Sequence, residues 1–259
     1  MTRFIAVVSG KGGVGKTTTS INLGVALKSL GKDCAVLDGN LTTPDVGLHL
    51  GVPNLPVTLH DVLEGRKSVI NATYSHASGL KIIPADISFK ALKKLSLKNL
   101  NNLFKGLKGT SEIVIIDCGA GLSKDVQSIM KFADEILIVT NPELTAVTNA
   151  LKTIKIAEEN NITTLGIILN RVKGIKGELS IKNVEAMIGH PVIGTIPETD
   201  DVRRSFNAKH PLVYYYPKSK ASIAFKKLAS GLIGENHEED IEEKVGLFKS
   251  ILLKIGLRK

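Results

Sequence analysis

Short apolar runs rich in β-branched residues recur along the chain, and most are separated by stretches with helical spacing. Phe4-Ile5-Ala6-Val7-Val8-Ser9 reads as a buried strand. Thr18 to Leu30 follows as a helix, with Ile21, Leu23, Val25, Ala26, Leu27 and Leu30 as its apolar positions. Further strands are predicted at Cys34–Leu37, Leu80–Pro84, Ile113–Ile116, Ile136–Thr140, Leu165–Leu169 and Pro191–Gly194. Helical patterns cover Ser123–Lys131, Thr145–Glu159, Ile181–Ile188 and Ser219–Leu232. This alternation predicts an α/β fold, a mainly parallel sheet with helices on both faces. Such sheets bind ligands beyond the carboxyl ends of their strands. Gly10, Asp38, Asp117, Asn141 and Asn170 all stand at those ends and are expected near one another.

One strand end carries specific chemistry. Residues Gly10, Lys11, Gly12, Gly13, Val14, Gly15, Lys16 and Thr17 fit the phosphate-binding loop GxxxxGK[ST] at every fixed position, between a strand and a helix. That context turns backbone N–H groups toward a polyphosphate at a helix N-terminus. Lys16 reaches the β- and γ-phosphates, and the Thr17 hydroxyl ligates Mg²⁺. Asp117 ends a run of four apolar β-formers, the arrangement in which a carboxylate holds Mg²⁺ through its water shell. The implied ligands are a nucleoside polyphosphate and Mg²⁺, and the resemblance described next implies that the nucleotide is ATP.

The second lysine of the loop, Lys11, is not required by a generic phosphate loop. The block Lys-Gly-Gly-Val-Gly-Lys-Thr-Thr, ending at Thr18, resembles the deviant Walker A motif of the MinD/ParA family of dimeric ATPases. The resemblance implies a phosphate-loop NTPase architecture, an ATP-induced homodimer, and a Lys11 that crosses to the partner's nucleotide. It runs over residues 1 to about 233 and reappears at the tail. Asp38-Gly39-Asn40 resembles the family's first switch, Asp-x-Asp, with Asp38 at the metal and Asn40 where an aspartate normally orients the attacking water. An amide holds a water but takes no proton from it, so slow hydrolysis is expected. Asp117-Cys118-Gly119-Ala120-Gly121-Leu122 resembles the second switch, with Gly119 in place of a proline, a change expected to loosen the loop. Leu169-Asn170-Arg171 and Ile196-Pro197-Glu198 resemble the adenine-contacting segments, which implies Asn170, Pro197 and Glu198 as base contacts. Asn170 alone also reads as a strand-end turn residue. Asn141-Pro142-Glu143 reads equally as a dimer contact or as a helix N-terminus.

Charge divides the chain further. The net charge of +9 is uneven: residues 235–243 hold six acids and no Lys or Arg, and residues 244–259 hold five bases and no acids. At 100° per residue, Ile241, Val245, Phe248, Ile251, Leu252 and Ile255 share one face, flanked by Lys244, Lys249, Lys254 and Arg258. A basic amphipathic helix of this kind suits an anionic membrane surface, and the position resembles a MinD-type membrane-targeting tail. The alternative is a terminal helix packed on the domain. The expected organisation is an ATPase domain at 1–234, an acidic linker at 235–243 and the basic helix at 244–259. A second lysine-rich stretch, Lys90–Lys108, carries Leu92, Leu95, Leu103 and Leu107 at near-helical spacing and reads as a surface helix.

Composition narrows the classes. Trp is absent and aromatics are 4%, so aliphatic packing must fill the core. Cys34 and Cys118 lie in apolar runs without CxxC spacing, which argues against zinc or iron–sulfur ligation and for buried thiols in a reducing cytoplasm. No targeting segment or membrane-spanning run is expected, so membrane association is peripheral. The reading is an ATP-switched, membrane-binding positioning ATPase with a protein activator or recruited partner. A ParA-like DNA-partitioning ATPase and an ATP-binding switch with little hydrolysis are the alternatives.

Overall fold

The structure, a computed structural model, describes residues 1–94 and 96–234. The predicted linker and tail, with Val245, Phe248, Lys249, Ile251, Leu252, Lys254 and Ile255, lie outside the described residues. The apolar runs form β1 (Arg3–Val8), β2 (Cys34–Gly39), β5 (Ile113–Cys118) and β6 (Glu135–Thr140), flanked by β4 (Lys81–Ile83), β7 (Thr163–Val172) and β8 (Val192–Pro197). A two-residue strand, β3 (Tyr74–Ser75), pairs antiparallel to β4, and the other pairings are parallel. The sheet order is β3-β4-β2-β5-β1-β6-β7-β8. The α/β, mainly parallel architecture predicted from the pattern is therefore the fold observed.

Alternation along β1 shows how the core is divided. Phe4, Ala6 and Val8 face one side of the sheet, with α5 (Leu100–Leu107), α6 (Lys124–Met130), α7 (Leu144–Glu159) and α8 (Ile181–Ile188). Ile5 and Val7 face the other, with α1 (Lys16–Ser29), α2 (Val46–His49), α10 (Leu212–Tyr215) and α11 (Lys220–Leu232). Both faces are covered, so the central strands are buried on both sides and read as continuous apolar runs. Three aromatics cluster on the first side: Phe104 meets Phe4 edge-on at 5.5 Å and stacks on Phe132 at 4.4 Å. Aliphatic side chains fill most of the remainder.

Several boundaries differ from the sequence pattern. The strand expected at Pro191–Gly194 runs from Val192 to Pro197, which carries it past Ile196 toward the ligand end of the sheet. The stretch Lys90–Lys108 is two helices, α4 (Phe89–Lys94) and α5, rather than one. Between them the Ser96 hydroxyl accepts from Lys98 N, a local bond that competes with helical pairing. Leu103 and Leu107 are buried, while Leu92 is exposed. Short helices α3 (Leu59–Leu63) and α9 (Asp200–Asn207) complete the fold. Among the described residues no helix is long and apolar enough to cross a membrane.

A candidate nucleotide site at the strand ends

The loop from Ser9 to Gly15 leaves β1 and turns into α1. Two glycines are dictated by space. A Cβ on Gly10 would stand 2.2 Å from the Asn149 carbonyl oxygen of α7, and Gly15, at φ +95°, would put one 2.2 Å from Asn170 Nδ2. Asn170 lies buried at the end of β7, where its Nδ2 donates to the Val14 carbonyl at 2.7 Å. It pins the loop across the sheet, a role beyond that of a turn residue. Ser9 fixes the other side: its hydroxyl donates to Lys11 O at 2.8 Å, and its carbonyl accepts from Gly121 N at 3.0 Å. α1 begins with no side-chain cap and no acid in its first turn, so its N–H groups and the buried Lys16 form a positive end.

Beneath the loop two carboxylates face each other. Asp38 and Asp117 are register partners across β2 and β5, and both are fully buried. Thr17 Oγ1 donates to Asp117 Oδ2 at 2.6 Å, and Ser20 Oγ donates to Oδ1 at 2.9 Å. Asp38 accepts from Val46 N at 3.1 Å and from Asn40 N at 3.3 Å. Burial raises the pKa of both, and that of Asp38 goes well above the usual range with the Asp117 charge as the second cause. Two carboxylates and a hydroxyl are an all-oxygen donor set, which fits Mg²⁺. No group of three or more His, Cys, Asp or Glu placed to hold a metal occurs among the described residues. A cation here therefore has to complete its shell with phosphate and water. The two cysteines are buried and free, and burial pushes both thiols up, Cys34 to about 12.

The remaining predicted residues fall around this centre. The Asn40 amide is folded onto its own loop, where Nδ2 donates to Thr43 O and Oδ1 accepts from Thr43 Oγ1 at 3.1 Å. Gly119 is packed against it: a Cβ there would stand 3.2 Å from Asn40 Oδ1 and 2.9 Å from Val126 Cγ2. The glycine expected to loosen this loop is thus also the residue that fits the space. Lys11 Nζ lies 3.6 Å from Glu143 Oε2, with both side chains about half exposed. Glu143 precedes α7, so the Asn141-Pro142-Glu143 segment leads into a helix. Pro197 and Glu198 join Gly15, Thr18 and Asn170 around a groove of about 450 Å³. Gly12 and Gly13 lie on the exposed crest of the loop.

The sequence reading did not single out Ser20, His49, Phe206 or Thr199. Ser20 follows Thr17 by three residues and so shares its helix face, a signal that was present. His49 lines the groove from α2, and Thr199 and Phe206 line it from the N-cap and body of α9; only folding brings them there.

Comparisons with known proteins agree with this geometry. The ParA family model, described as NUBPL iron-transfer P-loop NTPase, matches residues 1–233. An uncharacterised ATP-binding protein of Methanocaldococcus jannaschii is 38% identical over 250 residues, covering 96% of this chain and 95% of that protein. The septum site-determining protein MinD of Bacillus subtilis is 31% identical over the whole of both chains. The structure of MinD from Pyrococcus horikoshii complexed with Mg-ADP superposes with a TM-score of 0.85 at 36% identity, covering 90% of this chain and 96% of that one. With its phosphate loop, paired strand-end carboxylates and eight-stranded sheet, the chain belongs to the MinD/ParA family of ATPases.

Proposed function

We propose that this protein is an ATP-switched positioning ATPase of the MinD type, which dimerises on ATP and binds an anionic membrane in that state. The observation that carries the reading is the foot of the phosphate loop, where Thr17 and Ser20 converge on buried Asp117 beside Lys16. Lys16 holds the β/γ-phosphates, and Thr17, Asp117 and Asp38 hold Mg²⁺ directly or through water. Asn170, Pro197 and Glu198 border the base. The bound Mg²⁺ supplies charge neutralisation on the phosphates, and the chain's own residues orient the nucleotide and a water. Asn40, an amide already held by Thr43, orients that water without taking its proton, so turnover is slow.

Lys11 acts in trans. Its contact to Glu143 is half exposed, and such pairs are worth about 0–1 kcal/mol, so little restrains it from a partner's phosphate. Residues 235–243 act as the tether and 244–259 as the membrane helix. The five apolar side chains on its face, Val245, Phe248, Ile251, Leu252 and Ile255, inserted part-way contribute about 1 kcal/mol each. Ordering an isolated helix of this length offsets much of that. One tail therefore binds weakly, and the ATP dimer, with two tails, gains about 10²–10⁴ in avidity.

Flotation of the full chain with vesicles containing anionic lipid tests this reading, with ADP, ATP or a non-hydrolysable analogue present. Flotation is expected with ATP and the analogue and not with ADP, and Phe248→Glu should remove it while nucleotide binding persists. Equal flotation in ADP and ATP, or flotation unaffected by deleting residues 244–259, would sink the mechanism. ATP-dependent co-sedimentation with DNA instead of vesicles would favour a partitioning role.

A further inference from the structure

His49 lies outside the phosphate-loop and switch motifs, yet its surroundings fix its chemistry. It is the last residue of α2 and half buried. Its Nδ1 lies 3.0 Å from the Asp45 carbonyl oxygen. A carbonyl only accepts, so Nδ1 carries a ring proton, and whenever the ring holds one proton Nε2 is the nitrogen with the lone pair. Nε2 stands 3.4 Å from Thr18 Oγ1, a hydroxyl able to donate to that lone pair. The ring meets Phe206 edge-on at 4.8 Å, so its orientation is held from a second side.

Position adds to chemistry. His49, Thr18, Phe206 and Arg203 line the same groove as Gly15 and Pro197. The phosphate loop and the first turn of α1 contribute Gly15 and Thr18 to that lining, and the end of β8 and the residue after it contribute Pro197 and Glu198. A nucleotide with its phosphates on the loop and its base at Pro197–Glu198 has its sugar between the two, and Thr18 and His49 line that same groove. An acceptor nitrogen is repelled by a phosphate oxygen and attracted to a hydroxyl.

We propose that His49 is a specificity-determining residue that recognises the sugar of the bound nucleotide, its Nε2 accepting a hydrogen bond from a ribose hydroxyl. The inference rests on the nucleotide-binding reading above. Thr18 sits in the first turn of α1, and its hydroxyl turns to the phosphate when nucleotide enters. The ribose hydroxyl then replaces it on Nε2, so the imidazole exchanges one donor for another and is never left unpaired. The contact also reaches the first switch. α2 starts at Val46, whose N–H is bonded to Asp38, so the sugar is tied through four residues to a strand-end carboxylate.

Calorimetric titration of the full chain with ADP, 2′-deoxyADP and 3′-deoxyADP, each with Mg²⁺, tests the proposal. The parent should bind ADP about 3–10-fold more tightly than one of the two deoxy analogues, the size of one net hydrogen bond. His49→Phe keeps a ring against Phe206 and loses the acceptor. It should bind all three nucleotides equally, at the weaker of the parent's affinities. Equal binding of the three by the parent, or a preference that persists in His49→Phe, overturns the role of His49 and leaves the nucleotide site standing. Failure of the parent to bind ADP at all overturns both readings.

Discussion

The two buried carboxylates at the strand ends look equivalent in the sheet and are held in opposite ways. Asp117 accepts two side-chain hydroxyls, from Thr17 and Ser20, both on the 14-residue α1. Asp38 accepts two backbone N–H groups, from Asn40 and Val46, both in the connection after β2. One end of the site is thus fastened to a long helix packed on the core. The other is fastened to residues 40–50, whose helix α2 has four residues, too short to persist by itself. That segment also carries Asn40, Thr43 and His49. The difference assigns the parts: the β5 side is the fixed floor of the site, and the β2 side is the part able to respond to what occupies it.

The largest effect comes from removing what both carboxylates serve. Lys16→Ala deletes the cation buried against the loop and should weaken ATP binding by more than about 100-fold, the worth of one charge-assisted hydrogen bond or more. Calorimetry checks it. Near-parental affinity would show that the phosphates are held elsewhere and would make the two-carboxylate comparison irrelevant to nucleotide.

An intermediate effect separates the two ends directly. Burial raises both carboxyl pKa values in the folded state. The folded chain therefore holds these protons more tightly than the unfolded one, and the stabilisation present below the ordinary carboxylate range is lost as pH rises through the raised values. At neutral pH the nucleotide-free protein is destabilised by both. Asp117→Asn removes one charge, and its amide can accept from one hydroxyl and donate to the other, since hydroxyls reverse roles. Its melting temperature at pH 7 should rise by about 2–4 °C, with a flatter dependence on pH. Asp38→Asn faces two N–H groups that only donate, so its amide nitrogen meets a donor and the gain is cancelled. Thermal melts of the two nucleotide-free variants from acid to neutral pH decide it. A larger rise for Asp38→Asn than for Asp117→Asn would break the comparison.

The smallest effect sharpens the picture of the responsive side. Parental turnover should fall well below the ~10 s⁻¹ typical of enzymes, and Asn40→Asp should raise it several-fold by supplying a carboxylate near the water. Steady-state hydrolysis with vesicles present measures this. An unchanged kcat would mean that another residue orients the water or that a different step limits turnover.

How much of this was legible depends on the range of each interaction. The phosphate loop, the strand ends at Asp38, Asp117 and Asn170, and the parallel sheet follow from local spacing. Each needs only that a β-branched run be buried and that the chain turn after it. Ser20 on Asp117 follows from helical phase once Thr17 is placed. The antiparallel β3 has two residues, too few for any periodicity to announce it. The extension of β8 to Pro197 depends on pairing with β7 through Asn170 and Val172 rather than on its own apolar run.

By itself, then, the sequence determined the fold class, the nucleotide chemistry of the loop and the two carboxylates beneath it. The fold class follows from the alternation of local patterns along the chain, and each site group lies at the end of its own apolar run. Only the tertiary structure decided what those groups touch. Asn170 pins the loop from 156 residues away, Gly119 fits against Asn40, and His49 meets Thr18 and Phe206 from three separate helices. The physical reason is that side-chain contacts between distant segments depend on how layers pack around a shared core. No periodicity along the chain carries that arrangement.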